Sequence, residues 1–487
     1  MTEYGFWSLI PSVVAIILAL RTKQIYLSLA TGIWIGHLIL QQGNPLLASF
    51  ETLNAFVNVF KNEGNTQTII YTLLVGALIA LLQRSGGVQG LVKKLSEGSI
   101  DETPKGRLKA QLYAAITGLL IFVEANTSIL VVGAVFRPLF DKLKISREKL
   151  AYLADSGSAP SCVIFPFNSW GAYIMSLLIL NGYDQPFGVM MNSLVYNFYP
   201  FLAVAILLYI IVTEKDFGPM KHAEKRVFEQ GKFLNDGSKP MISDEVSMIE
   251  PEEGTPKRAF NMIIPILILV TCMPILLLYT GWDAIDKTSS LPNQLLDALS
   301  NGSGTAAVVY SLTAAIIVST FMYKAQGILK VQDSINLTLK GMSGMTSLAL
   351  LMVFAFSLSS LCKELETGKY VAEISKAWLS PSFVPAIIFL VSCFIAFSTG
   401  TSWGTFAIML AIAIPMAETM NANPYMAVAA AIGGGIFGDH CSPISDTTII
   451  SSMASATDHI DHVKTQLPYA LVAGAASFLL YLILGLI

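Results

Sequence analysis

Apolar runs of roughly 15 to 22 residues, cut by short polar turns, repeat along almost the whole chain. As a helix, that length crosses a bilayer core of about 30 Å. Ten crossings are predicted, near residues 5–20, 24–41, 67–83, 150–180, 190–213, 259–280, 304–323, 341–361, 424–455 and 466–487. Two further stretches, 108–136 and 383–415, are too long for one simple span and too interrupted for two. Each reads as a re-entrant hairpin that enters and leaves on the same side. The polar exception is 214–258, where Asp-Gly, Pro-Glu-Glu-Gly and many charges mark a solvated linker.

Composition narrows the class. Of 487 residues, 54% are hydrophobic and 13% charged, whereas a soluble chain has roughly 25% charged residues. A soluble enzyme, a disordered chain and a nucleic-acid binder are poor readings, and a net charge of −3 offers nothing to a polyanion. The Lys and Arg count gives an orientation. Arg21, Lys23, the stretches 84–109, 137–149, 214–258 and 324–340, and Lys464 hold 25 of the 30 basic residues on one side. Lys61, Lys287, Lys363, Lys369 and Lys376 fall on the other. The basic side is cytoplasmic, so both termini are expected outside. Glu3 stands where a secretory signal would be basic. Cys162, Cys272, Cys362, Cys393 and Cys441 sit in or beside apolar segments without metal-ligand spacing and read as buried thiols.

The two halves resemble each other in order. Phe6 to Pro11 recurs as Phe260 to Pro265, and Ser85-Gly86-Gly87-Val88 as Thr367-Gly368-Lys369-Tyr370. Asn126-Thr127-Ser128 pairs with Gly400-Thr401-Ser402, Ser158-Ala159-Pro160-Ser161 with Cys441-Ser442-Pro443-Ile444, and Tyr199-Pro200-Phe201 with Leu467-Pro468-Tyr469. The expected architecture is an all-α polytopic membrane protein of two five-crossing repeats, 1–213 and 259–487, joined by the cytoplasmic linker 214–258. Each repeat carries a re-entrant hairpin and a broken helix. Five is odd, so the second repeat runs inverted, the plan of secondary transporters with a site at the repeat interface.

Charged side chains at membrane depth cost several kcal/mol unless paired, hydrated or ion-bound, and are functional candidates by default. The strongest cluster runs from Gly438 through Asp439, His440, Cys441, Ser442, Pro443, Ile444, Ser445, Asp446 and Thr447 to Thr448. Pro443 removes a local backbone bond, and Gly433-Gly434-Gly435 permits unwinding. Freed carbonyls, hydroxyls and carboxylates form a hard-oxygen cage for a small cation, with Asp439 and Asp446 as Na+ ligands and Ser442, Ser445 and Thr447 beside them. Asp155, Ser156 and Ser158, before Pro160, carry the same chemistry in the first repeat. Asn126, Thr127, Ser128, Thr399, Thr401 and Ser402 supply hydroxyls, an amide and exposed backbone at the hairpin tips. Desolvation and a nearby cation act oppositely on the protonation of a buried carboxyl group. Glu124 therefore reads as the proton carrier, with Asp155 as a second candidate.

Other signals carry less. Gly433 to Gly438 spells G-x-G-x-x-G without a preceding strand and reads as close helix packing. Asp439, His440 and Ser442 are too close along the chain for a hydrolytic triad. His459 and His462 read as part of a polar cytoplasmic loop.

The run Gly438 to Thr448 resembles the signature of the NhaC family of sodium/proton antiporters. Ile145 to Tyr152 with Asp155 and Pro160, and Gly400-Thr401-Ser402-Trp403-Gly404-Thr405, resemble the same family. The likeness covers essentially the whole chain. It implies membership of the ion-transporter superfamily, with inverted repeats, a scaffold, an elevator-like moving transport domain and a homodimer. It implies no enzyme activity, no cofactor beyond Na+ as transported or coupling ion, and a place in a bacterial inner membrane. Members commonly carry two adjacent aspartates where this chain has Glu124-Ala125, so one of the two acids is absent. The expected function is exchange of Na+ for H+. The alternative is a sodium- or proton-coupled carrier of a small organic anion or amino acid, malate/lactate-like relatives being known, and a membrane-embedded enzyme is a distant third.

Overall fold

The computed structural model describes residues 4–22, 24–96, 103–122, 124–240, 249, 251–285, 287, 290–376 and 379–487. Lys23, residues 97–102 of the predicted basic loop and much of 241–250 in the predicted linker lie outside the described residues. The described secondary structure is helical apart from one isolated bridge between Pro240 and Asp458. Among the described residues, eight helices are long and apolar enough to cross a membrane, and nine if the bent pair Arg147–Ile164 and Ser169–Leu180 counts as one span.

Ten crossings were predicted, and the difference lies in how runs of apolar residues divide into helices. The first two runs form shorter helices, Ile10–Thr22 and Ile25–Leu40. The run 424–455 splits into Pro424–Cys441 and Asp446–Ala454, hereafter broken helix two. Its counterpart, broken helix one, comprises Arg147–Ser156 and Ala159–Ile164, with Pro160 in the first turn of the second piece. Hairpin one is built from Pro104–Leu120 and Ala125–Lys142, and hairpin two from Val384–Thr399 and Ser402–Met420. Both arms of hairpin two reach spanning length and apolarity. The final helix is His459–Leu486.

Small residues decide where helices come closest. The first piece of broken helix two packs along the first arm of hairpin two with Ala427, Ala430 and Ala431 fully buried. A Cβ at Gly438 would stand 2.5 Å from the carbonyl oxygen of Cys393. Only a glycine fits that approach, which is the packing role expected of the glycine run.

Two regions depart from the sequence reading. The segment 214–258 is not simply a solvated connection, because Gly218–Gln230 is a docked helix. Lys149 Nζ lies 2.7 Å from Asp216, Arg226 2.7 Å from Glu148, and Arg107 3.0 Å from Glu224. The charges that looked solvated are complementary to those of broken helix one and of the first arm of hairpin one. The second departure is an additional surface helix, Pro45–Val59, capped by the Asn44 side chain. Leu46, Phe50, Leu53 and Val57 are exposed on it.

Candidate functional site

The tip of hairpin one, the tip of hairpin two and the break in broken helix two meet at one cavity of about 410 Å³, which Tyr26, Trp170 and residues of the stretch 344–351 also line. Its lining includes Glu124, Asn126, Thr399, Thr401, Asp439, Asp446 and Thr447, all singled out from sequence. The two tips turn differently. Asn126 N donates to Glu124 Oε1 at 3.0 Å, so the carboxylate helps to cap the second arm of hairpin one. Hairpin two turns at Gly400, whose φ of +68° is open to glycine at little cost. A Cβ there would lie 2.5 Å from the Ile444 carbonyl oxygen in the break of helix two.

Asp439, only 2% exposed, is the most tightly held carboxylate at the cavity. Ser402 Oγ, from the first turn of hairpin two's second arm, donates to Oδ2. Ser445 Oγ, from the break itself, donates to Oδ1 at 2.5 Å. Ser445 also caps the helix Asp446–Ala454 by accepting from Thr447 N at 3.2 Å. The capping role and the site role of this hydroxyl are therefore compatible. Ser442 Oγ donates to Phe397 O at 2.6 Å, which ties the break to hairpin two rather than pointing the hydroxyl at the cavity. Asp446 begins the second piece and faces the cavity without that enclosure.

The remaining predicted residues lie apart from the cavity lining. Asp155 is fully buried, accepting from Gln466 Nε2 at 2.7 Å, with His462 Nε2 at 3.6 Å. Ser156 Oγ lies 2.8 Å from His440 Nε2, whose Nδ1 lies 2.7 Å from the Tyr199 hydroxyl. Ser158 Oγ donates to Ser128 Oγ at 2.8 Å, and Ser128 Oγ to Gly118 O at 2.9 Å, a link between broken helix one and hairpin one. The side chain of Thr127 lies outside the described residues.

The two histidines read from sequence as loop residues are structural. His462 is fully buried, and His459 Nε2 lies 2.6 Å from Pro443 O in the break. The loop reading failed because the chain turns back at Asp458, laying the first turn of the final helix against broken helix two. His462 and Gln466 are four residues apart and share a helix face, a spacing that was legible in the sequence.

Trp170 and Trp403 also line the cavity, with ring centroids 4.6 Å apart. Trp403 lies within the antiporter-like motif Gly400 to Thr405, and neither it nor Trp170 stands out as a site residue in the sequence alone. Each stands in a short polar interruption, Asn168-Ser169-Trp170-Gly171 or Thr401-Ser402-Trp403-Gly404, which was the available signal. Among the lining residues there is no Lys or Arg.

Comparison with known proteins agrees with this helical transporter architecture. A family model described as the Na+/H+ antiporter family matches residues 162–486. An uncharacterized protein of Haemophilus influenzae is 33% identical over 98% of this chain and 91% of its own length. A malate-2H(+)/Na(+)-lactate antiporter of Bacillus subtilis is 28% identical over a shorter stretch, 24% of this chain and 28% of that protein. The solved structure of the Alcanivorax borkumensis YdaH transporter superposes with a TM-score of 0.58 at 14% identity, covering 90% of this chain and 88% of that one. The chain is a multi-pass membrane protein and a secondary transporter, not an enzyme, and it belongs to the Na+/H+ antiporter family, of NhaC type.

Proposed function

We propose that this protein exchanges Na+ for H+ through the cavity at the hairpin tips. The observation that carries the reading is Asp439, held on both oxygens by serine hydroxyls from two different elements, beside a second carboxylate at Asp446 and a third at Glu124. Preorganised hydroxyls and carboxylates are hard oxygen ligands, and a cation neutralises the charge that the protein otherwise encloses. Asp439 and Asp446 bind Na+, with Ser402, Ser445 and Thr447 supplying or orienting oxygens. Glu124, across the same cavity, takes the proton. Asp155 positions broken helix one from behind rather than ligating the ion.

The finer architecture is part of this proposal. Helices succeed one another in similar order in the two halves: a short amphipathic helix, Gly87–Ser96 or Thr367–Ser375, precedes each hairpin, and a broken helix follows it. That order supports two inverted repeats, 1–213 and 259–487, which can exchange conformations to give alternating access. Cytoplasmic placement of the basic loops, outside termini and an elevator-like homodimer in a bacterial inner membrane belong to the same reading.

A second reading is favoured by the cavity itself. Its volume exceeds what a bare Na+ needs, and the indoles of Trp170 and Trp403 stand beside three carboxylates. Aromatic faces and acids together suit an organic ammonium group, such as that of an amino acid. The malate and lactate of the Bacillus subtilis relative are anions, which three carboxylates oppose unless a cation enters with them.

The test is sodium-driven proton movement in proteoliposomes, followed with an internal pH dye. Proton flux that follows the Na+ gradient and is silenced in Glu124→Gln establishes antiport through this cavity. An absence of proton flux from folded protein, with sodium-dependent thermal stabilisation by an amino acid, selects the second reading.

A further inference from the structure

The transport cavity and a second polar cavity, of about 380 Å³, share three helices in their walls. Tyr26, Trp170 and Met345 stand at or beside the starts of Ile25–Leu40, Ser169–Leu180 and Thr346–Glu364 and line the transport cavity. His37, Leu180 and Ser360 stand near the ends of the same helices and line the second cavity. All three helices therefore run in one direction between the two spaces. Along Ile25–Leu40, Tyr26 and His37 are separated by about 16 Å at about 1.5 Å per residue. Arg21 and Lys340, of the large basic set, lie close in sequence to Tyr26 and Gly344 of the first cavity. Lys61 and Lys363, of the sparse set, adjoin Asn62 and Glu364 of the second. By the charge rule the two cavities lie toward opposite membrane faces.

The interval between them is filled by aromatic and aliphatic side chains. Tyr173, one turn beyond Trp170, and Phe356, one turn before Ser360, are fully buried, with ring centroids 5.4 Å apart. Tyr173 also meets the Trp403 ring at 5.0 Å, and its hydroxyl donates to Trp403 O at 2.9 Å. Trp403 follows Ser402, the residue that donates to Asp439. On Ile25–Leu40, Leu29 and Ile33 are fully buried over the same interval. Rings from Ser169–Leu180, Thr346–Glu364 and hairpin two thus close on one another between two polar spaces. A dehydrated constriction of this kind stops an ion without any charge of its own.

We propose that the two cavities are the two ends of one permeation route, and that Tyr173, Phe356 and Trp403 form the gate closed between them. The gate opens when hairpin two, carrying Trp403, draws away from Tyr173 and Phe356. The inference rests on the transport reading of the first cavity and on the orientation given with it. It is tested by access of a membrane-impermeant maleimide to Thr399→Cys, a position on the transport cavity, in membrane vesicles of either orientation. The parent carries Cys272→Ser, since Cys272 is the half-buried thiol and the other four are buried. The parent is expected to label about tenfold faster from the face of the basic loops than from the other face. Phe356→Ala is expected to raise labelling from that other face about tenfold, with the rate from the basic face unchanged. A shifted conformational equilibrium would instead raise one rate and lower the other. Tyr173→Phe keeps the ring and loses the bond to Trp403, for an expected rise of about fivefold, the equivalent of one neutral hydrogen bond. Where Phe356→Ala lowers the yield of folded protein, Phe356→Leu takes its place. Equal labelling of the parent from both faces, or unchanged one-sided labelling in the folded Phe356 variant and in Tyr173→Phe, overturns the proposal. Absence of Na+-driven proton flux in the parent refutes the exchange reading instead and leaves these labelling rates as they are.

Discussion

Asp155 and Asp439 sit on the two broken helices at comparable places, five residues before Pro160 and four before Pro443. One residue of offset turns a helix by about 100°, and the two carboxylates end in different surroundings. Asp439 faces the cavity between two serine hydroxyls, whereas Asp155 is sealed against Gln466 and His462 of the final helix. The residue four before Pro160 is Ser156, and it bonds the His440 ring instead of the cavity. Matching composition at two helix breaks therefore does not make matching surroundings. Each helix breaks near a proline, and the register of the acid relative to that proline decides whether it faces the cavity or a neighbouring helix.

That contrast can be broken most severely at the cavity carboxylate. Asp439→Asn is expected to lower Na+-coupled flux by about 100-fold or more, since even outer contacts to a bound ion are worth 10–100-fold. Circular dichroism and the unfolding midpoint should stay near those of the unmodified protein. A variant with normal flux would remove Asp439 from the pathway.

Gly400→Ala comes next, because it forces a side chain into a left-handed turn and against the Ile444 carbonyl. The backbone conformation alone costs about 1–2 kcal/mol. Separation of hairpin two from the break should appear as both a lower unfolding midpoint and reduced flux. Stability loss with normal flux per folded molecule would show that the tip need not touch the break.

The two serines sharpen the comparison with less damage. Ser402→Ala deprives Asp439 of a donor to a charged group and should weaken Na+ affinity about tenfold, measured by sodium-dependent thermal stabilisation. Ser156→Ala, at the matching register of the other helix, should leave Na+ affinity unchanged and lower stability by about 1 kcal/mol. Equal effects on affinity would make the two breaks one site after all.

Of the two acids compared, Asp155 is expected to have much the smaller effect on ion affinity. Asp155→Asn replaces an acceptor that bonds Gln466 and should cost about 1–3 kcal/mol of stability, read from chemical denaturation in detergent. Na+ affinity is expected within about threefold of the unmodified protein, less than the loss expected for Ser402→Ala. A larger loss would return Asp155 to the ion pathway.

The amino-acid sequence by itself determined that this chain lives in a membrane, roughly where its spans fall, where two helices break, and which polar residues interrupt them. Run length and breaker residues are local properties, and lipid imposes them strictly because unpaired backbone cannot face hydrocarbon. It also held the motifs that place the chain with antiporters. Tertiary structure decided which polar interruptions share a space. It brought Glu124, Thr401 and Asp439 around one cavity from three separate elements, added Trp170, and withdrew Asp155 behind the final helix. It also docked the stretch 216–230 on broken helix one through paired charges that looked solvated in sequence. Each of these outcomes depends on helix rotation and on partners hundreds of residues away. Composition along a single segment does not contain either, since a hydroxyl or carboxylate that breaks an apolar run has the same sequence signature whether it faces an ion or a neighbouring helix.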